Sequence, residues 1–299
     1  MFGCTRPLGR SESRWSIHFI RTYPLNGALR CAGQNGTMTT PMHPWSRYVA
    51  LGDSFTEGVG DPEPNSPGGN RGWSDRVAEV LSQGTPDFAY ANLAVRGKLI
   101  RQISDEQVGT ALALHPDLIT FSGGGNDVLR PGSDPDLIAA RCEEQIRRLS
   151  RDNATIVLFT GADVGFSPMF RGIRGKIAIY NENLRAVAAR YDCVVADLWS
   201  LTEIQDARMW SADRLHLNAL GHHTVARMVL SDLNVPNTLE PHKPEPMPGR
   251  TFREARTEDM QWAREYLLPW VLRRIRHQSS GDHMLPKRPD AQPFSQPRH

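Results

Sequence analysis

From Tyr48 onward, short apolar runs of strand character alternate with longer amphipathic segments of helical period, and this alternation narrows the possible folds more than any other feature of the chain. The runs "YVAL", "FAYANLA", "DLITFSG", "TIVLFTG" and "VVADL" are interleaved with "WSDRVAEVLSQ", "KLIRQISDEQVGTAL", "PDLIAARCEEQIRRLS", "KIAIYNENLRAVAARY" and "ALGHHTVARMVLSDL". Five strands alternating with five helices predict a five-stranded parallel sheet covered by helices on both faces. Right-handed crossovers make a strand order of 2-1-3-4-5 the economical topology.

Such a sheet collects its chemistry at the carboxyl ends of its strands. "YVALGDSFTEGVGD" ends its apolar run at Gly52 and presents Asp53 and Ser54 there. The second run leads into "NLAVRGKLI", with Asn92 and Gly97; the third into "FSGGGNDVLRPG", with Asn126 and Asp127. Beyond the fifth lies "WSADRLHLNALGHHT", with Asp213 and His216. Acyl transfer by a serine needs a base, a group to orient that base, and donors for the developing oxyanion. Ser54 is the expected nucleophile, His216 the base and Asp213 its orienting partner. The N–H groups of Ser54 and Gly97 and the Asn126 amide are the expected oxyanion donors. Asp53, Asn92 and Asp127 are expected to hold the backbone of the site. Singly, each residue also has a structural reading: Ser54 or Asp213 as a helix cap, His216 as a packed histidine, Asn126 and Asp127 as turn formers, Gly97 as a helix-entry glycine. Together on one edge they favour catalysis.

In this order, "GDSF", the glycine of "NLAVRG", "GGND" and "DRLH" resemble the four blocks of the SGNH hydrolases, also called the GDSL esterase and lipase family. The resemblance spans roughly Tyr48 to Leu233 and departs from the family's name only at Phe55. It implies a three-layer α/β/α, flavodoxin-like fold and a serine esterase or lipase with the site residues named above. An acyltransferase on the same fold is the main alternative, and a non-catalytic ligand-binding module a lesser one. Neither a P-loop nor a G-x-G-x-x-G after the first strand is found, so no cofactor is expected. The chain also lacks the G-x-S-x-G elbow. His222 and His223 are adjacent on one helix and point in different directions, so a metal site is not expected.

The substrate is expected to be a small-molecule ester. In "GADVGFSPMFRGIRGK", Phe166, Met169 and Phe170 stand beside Arg171 and Arg174, a mixture suited to an acyl chain with an anionic head. Trp199 and Trp210 flank the Asp213 loop and are suited to stacking on a sugar ring. Acetylated sugars, short-chain esters and lipid-like esters all stay open.

Charge separates the middle of the chain from its ends. Residues 1–46 carry five Arg against one Glu and residues 241–299 eleven basic against seven acidic residues, which leaves 19 basic and 25 acidic between them. An acidic middle disfavours a nucleic-acid groove. No apolar run is long enough to span a bilayer, and the N-terminus lacks the apolar core of a signal peptide, so a cytoplasmic protein without stable membrane insertion is expected. The 31 Arg against 4 Lys fit a GC-rich bacterial genome, and oligomeric state is unconstrained. Residues 1–45 read as a loose leader, with Met38 an alternative start, and 46–236 as the hydrolase domain. In 237–299 we expect a proline-rich strap, a helix over Thr257 to Arg276 capped by Thr257 and kinked at Pro269, and a loose tail.

Overall fold

The computed structural model describes residues 43–83, 85–246, 249, 251–275 and 279–294. The leader expected over 1–45 therefore lies almost wholly outside the described residues. Five parallel strands, β1 (Arg47–Leu51), β2 (Ala89–Asn92), β3 (Leu118–Phe121), β4 (Thr155–Phe159) and β5 (Val194–Ala196), pair in the expected order 2-1-3-4-5. The register sets Val49 opposite Ala91 on one side and Ile119 on the other. Alternate residues feed opposite faces. Tyr48 and Ala50 pack with Trp73, Val77, Leu81 and Val229, whereas Val49 and Leu51 pack with Ile100, Ile103, Ile146 and Leu184.

Helices cover both faces, completing the three layers. The short α1 (Ser54–Glu57) follows β1, and α2 (Gly72–Ser82) packs on α8 (Ala219–Asp232). On the opposite face, α3 (Ile100–Ile103) and α4 (Gly109–Ala113) precede β3, α5 (Gly125–Val128) follows it, and α6 (Pro135–Leu149) packs on α7 (Arg174–Arg190). Asp134 caps α6, with Pro135 at the first helical position, where its missing N–H has no cost. The single helix expected over 98–112 is interrupted by a π-helical turn at Ser104–Val108, which rotates Gln107 into the interior. There Gln107 closes a two-way bond with Gly52, its Oε1 accepting from Gly52 N at 2.9 Å and its Nε2 donating to Gly52 O at 2.8 Å.

The C-terminal region departs most from expectation. The helix begins earlier, as α9 (Phe252–Trp262), because "TFRE" forms a capping box: Glu254 Oε2 accepts from Thr251 N at 2.8 Å, and Thr251 Oγ1 accepts from Glu254 N at 3.3 Å. Thr257 lies inside the helix, its hydroxyl bonded to Arg253 O. A π-helical turn over Ala263–Leu267 leads into α10 (Leu268–Ile275), which accommodates the missing N–H of Pro269.

The expected loose tail instead supplies a sixth strand, β6 (Arg288–Pro293), antiparallel to β2. Its two prolines conceal it in the sequence, yet an edge strand needs partners on one side only and tolerates them. Lys287 secures the strand from the interior. Its ammonium is 3.0 Å from Asp75 Oδ1 and donates to the carbonyls of Asn70 and Arg71, with both charged side chains at most 2% exposed. Burial pushes the Lys287 ammonium below its usual range, against the opposing pull of Asp75. Lys287→Met should leave Asp75 buried beside only Tyr90 and Arg288 and destabilise the fold by about 3 kcal/mol in urea denaturation at neutral pH. An unchanged midpoint would show that the pair contributes no net stability.

Candidate active site

The four sequence blocks meet at one cavity of about 950 Å³, lined by Asp53, Ser54, Gly97, Asn126, Asp127, Asp213 and His216. Asp53 caps α1 by accepting from Phe55 N at 3.1 Å, which leaves Ser54 as the first helical residue, half-buried at the cavity. The second Asp53 oxygen accepts from Asn126 Nδ2 at 2.9 Å, and the same nitrogen donates to Lys98 O at 3.2 Å. Asn126 is thereby bound to both the Ser54 turn and the Gly97 loop.

Gly97 sits at φ 75°, in the left-handed region, and a Cβ there would lie 2.0 Å from Ser279 Oγ. The left-handed φ calls for glycine, and any Cβ here would have to displace the Ser279 hydroxyl. Asp127 caps the helix after this loop, its Oδ2 accepting from Ile100 N at 3.0 Å. Asn92 is fully buried behind the cavity. Its Nδ2 donates to Thr56 O, Ser74 Oγ and Tyr90 Oη, and its Oδ1 accepts from Ala94 N.

Asp213 does not cap α8; Asn218 does, accepting from Leu220 N and Gly221 N. Asp213 instead approaches His216, with Oδ2 2.6 Å from Nδ1, while its Oδ1 accepts from Ser211 Oγ, Leu215 N and His216 N at 2.6, 2.9 and 3.0 Å. Burial opposes ionisation of Asp213, but these bonds and the nearby imidazole outweigh it and hold the carboxyl well below the usual carboxylate range. The arrangement can keep a proton on Nδ1 and leave Nε2 to accept one.

Of the residues expected to contact substrate, Met169, Phe170 and Trp210 line the cavity, together with Ile173, Ile177 and Tyr180. Phe166 is not among the lining residues; its ring packs 5.7 Å from that of Trp210. Arg174 is engaged by Asp163 at 2.6 Å and lies over the Trp199 ring. His222 and His223 diverge. His222 accepts from Trp73 N and bonds Val59 O, while His223 bonds Glu240 O on the other side of the helix.

Three contributors were not anticipated. Gln107 holds Gly52 as described, and Glu57 accepts from Arg96 N at 2.6 Å and Arg96 Nε at 2.9 Å, fixing the residue before Gly97. A glutamate three residues after Ser54 was a visible but uninterpreted signal. The third is the C-terminal region, whose Trp262, Tyr266, Leu267, Trp270, Ser279 and Asp282 line the cavity. Among the described residues no helix is long and apolar enough to cross a membrane.

The GDSL-like lipase/acylhydrolase family model matches residues 50–224. Among solved structures, the chain is similar to an α/β-hydrolase enzyme from the metagenome of Lake Arreo, Spain, at 21% identity and a TM-score of 0.55, covering 64% of this chain and 97% of that one. It is also similar to a protein of Parabacteroides merdae described as a GDSL-like lipase (18%, TM-score 0.51, 63% and 95%). A third is an acetylxylan esterase of Geobacillus stearothermophilus (17%, TM-score 0.51, 65% and 96%). These likenesses establish the shared fold. No curated protein matches the sequence.

Burial pushes the Asp53 carboxyl up from 3.8 to about 6, against the hydrogen bond from Phe55 N. A raised carboxyl favours the protonated form in the native state, so its contribution to stability is full below pH 3.8 and is lost as pH rises through about 6. Asp53→Asn removes that titration. The stability of the wild type relative to Asp53→Asn should fall by about 3 kcal/mol between pH 3 and 7 in paired denaturation curves. A difference independent of pH would contradict the assignment.

Proposed function

Since the chain belongs to the GDSL-like lipase/acylhydrolase family and is a hydrolase of ester bonds, we propose that it cleaves carboxylic esters through Ser54, His216 and Asp213. Ser54 Oγ attacks the ester carbonyl carbon while His216 Nε2 takes its proton. Asp213 stabilises the resulting imidazolium through Nδ1–H. The negative charge that forms on the carbonyl oxygen is received by the N–H groups of Ser54 and Gly97 and by Asn126 Nδ2. The longer of the two bonds made by that nitrogen, to Lys98 O, is the one the oxyanion would replace. Collapse expels the alcohol, protonated by His216, and leaves an acyl-Ser54 ester. Water then attacks the acyl carbon, again with His216 as base, and as the bond to Ser54 Oγ breaks, the carboxylic acid leaves and His216 returns the proton to Ser54.

The observation that carries this reading is the 2.6 Å contact between Asp213 and His216 on the same cavity wall system as Ser54 and Asn126. Asp53, Asn92 and Asp127 serve as supports of the site's backbone. For the acyl group, the apolar side chains of Met169, Phe170, Ile173 and Ile177 offer a wall, and Trp210 closes it on the side of the acid–base loop.

Hydrolysis of p-nitrophenyl esters from acetate to palmitate tests the reading. Ser54→Ala should lose at least about 10³-fold in kcat. Asn126→Ala should lose about 10² to 10³-fold as an oxyanion donor. Retention of activity by Ser54→Ala would overturn the nucleophile assignment, and the preferred chain length separates acetyl esters from lipid-like ones. Product analysis with an added acceptor alcohol separates hydrolysis from acyl transfer.

A further inference from the structure

The chain beyond residue 224 lies outside the family match, yet it touches both flanks of the cavity. On one flank, Ser279 Oγ donates to the carbonyl oxygen of Arg96 at 3.2 Å. That carbonyl belongs to the same peptide unit as the Gly97 N–H. Because a peptide is a rigid, trans plate, its C=O and N–H point in opposite directions, and holding the oxygen fixes where the N–H points. A hydrogen bond accepted by the C=O also polarises the unit and strengthens its N–H as a donor. The preceding plate is held separately, by Glu57 on Arg96 N at 2.6 Å. Ser279 is itself held, its N donating to Asp282 Oδ2 at 2.8 Å and its Oγ accepting from Gly281 N at 3.1 Å.

On the other flank, Trp262 Nε1 donates to the main-chain carbonyl of Asp213 at 3.1 Å. The adjoining Arg214 has φ 55°, the left-handed region that a non-glycine residue occupies at some cost. Its guanidinium lies over the Trp262 ring at 4.8 Å and is 2.7 Å from Asp259 of the same helix. The loop that carries Asp213 and His216 is thus gripped by α9.

We propose that the C-terminal region is a clasp that positions the catalytic groups from both sides, with Ser279 aiming the Gly97 N–H and Trp262 holding the Asp213 loop. The inference rests on the reading of Gly97 as an oxyanion donor and of Asp213 and His216 as the acid–base pair. Neither Ser279 nor Trp262 takes part in bond making; both are positioning residues.

The test uses Ser279→Ala, which deletes the hydroxyl, and Trp262→Phe, which deletes the indole N–H and keeps a ring beneath Arg214. Activity on p-nitrophenyl acetate is measured in the full-length protein, with Ser54→Ala alongside. Loss of one neutral hydrogen bond's worth of positioning should lower kcat by about 3- to 10-fold in each variant. KM and the melting temperature should stay near the wild-type values. The inhibition constant of butylboronic acid, which forms a tetrahedral adduct on a nucleophilic serine, should rise in Ser279→Ala by the same factor as kcat falls. Wild-type kcat in both variants, or losses confined to KM or to thermal stability, would overturn the clasp while Ser54→Ala remained inactive. Activity surviving in Ser54→Ala would overturn the underlying catalytic reading and the clasp with it.

Discussion

All five central strands run in one direction, and the rest of the molecule follows from that constraint. A parallel sheet sends every strand's carboxyl end to the same edge, so segments separated by more than a hundred residues emerge as neighbours. Ser54, Gly97, Asn126 and His216 share one cavity for this reason. The helices that return the chain to the opposite edge bury both faces, which the near-continuous apolar character of the strands requires. The chemistry then falls to loops, where the backbone is free to turn but must be held in place.

That holding is done by buried polar side chains spending their hydrogen bonds on main-chain groups. Gln107 bonds both polar groups of Gly52, Glu57 takes the N–H of Arg96, Asn92 bridges Thr56 and Ala94, and Asp127 takes the N–H of Ile100. A buried polar group without a partner is costly, so each bond stabilises the loop and satisfies the side chain together. The loops arrive pre-oriented, which is the condition for fixed dipoles to stabilise charge that appears only during reaction. Asp53 joins the two systems by capping α1 with one oxygen and receiving Asn126 with the other.

The C-terminal region extends the same economy to the outer side of the cavity. β6 covers the exposed edge of β2, and the buried Asp75–Lys287 pair fixes where the returning chain passes. With that end secured, Ser279 reaches Arg96 on one flank, while α9 brings Trp262 to Asp213 on the other. Trp262, Leu267 and Trp270 line the same cavity as Met169 and Phe170, so the aromatic side of this helical segment lies against the molecule's own cavity.

Periodicity and turn chemistry, read along the chain, were enough to mark the five strands and the polar turns "GDSF", "GGND" and "DRLH" that follow them, because these depend on local patterns within about ten residues, whereas the strand order came only from the general preference for right-handed crossovers. The placement of Asp213 beside His216 was legible for the same reason, being a contact across three residues. What the tertiary structure alone decided are the contacts that span the chain. The Gln107–Gly52 bond depends on a π-helical turn that no spacing announces, and β6 is written in prolines and charges that are indistinguishable from a tail until β2 offers an unpaired edge. The approach of Ser279 and Trp262 to the site is likewise made of contacts between distant parts of the chain. Local propensity cannot specify a partner 183 or 49 residues away; only the packed sheet brings those partners within hydrogen-bond reach.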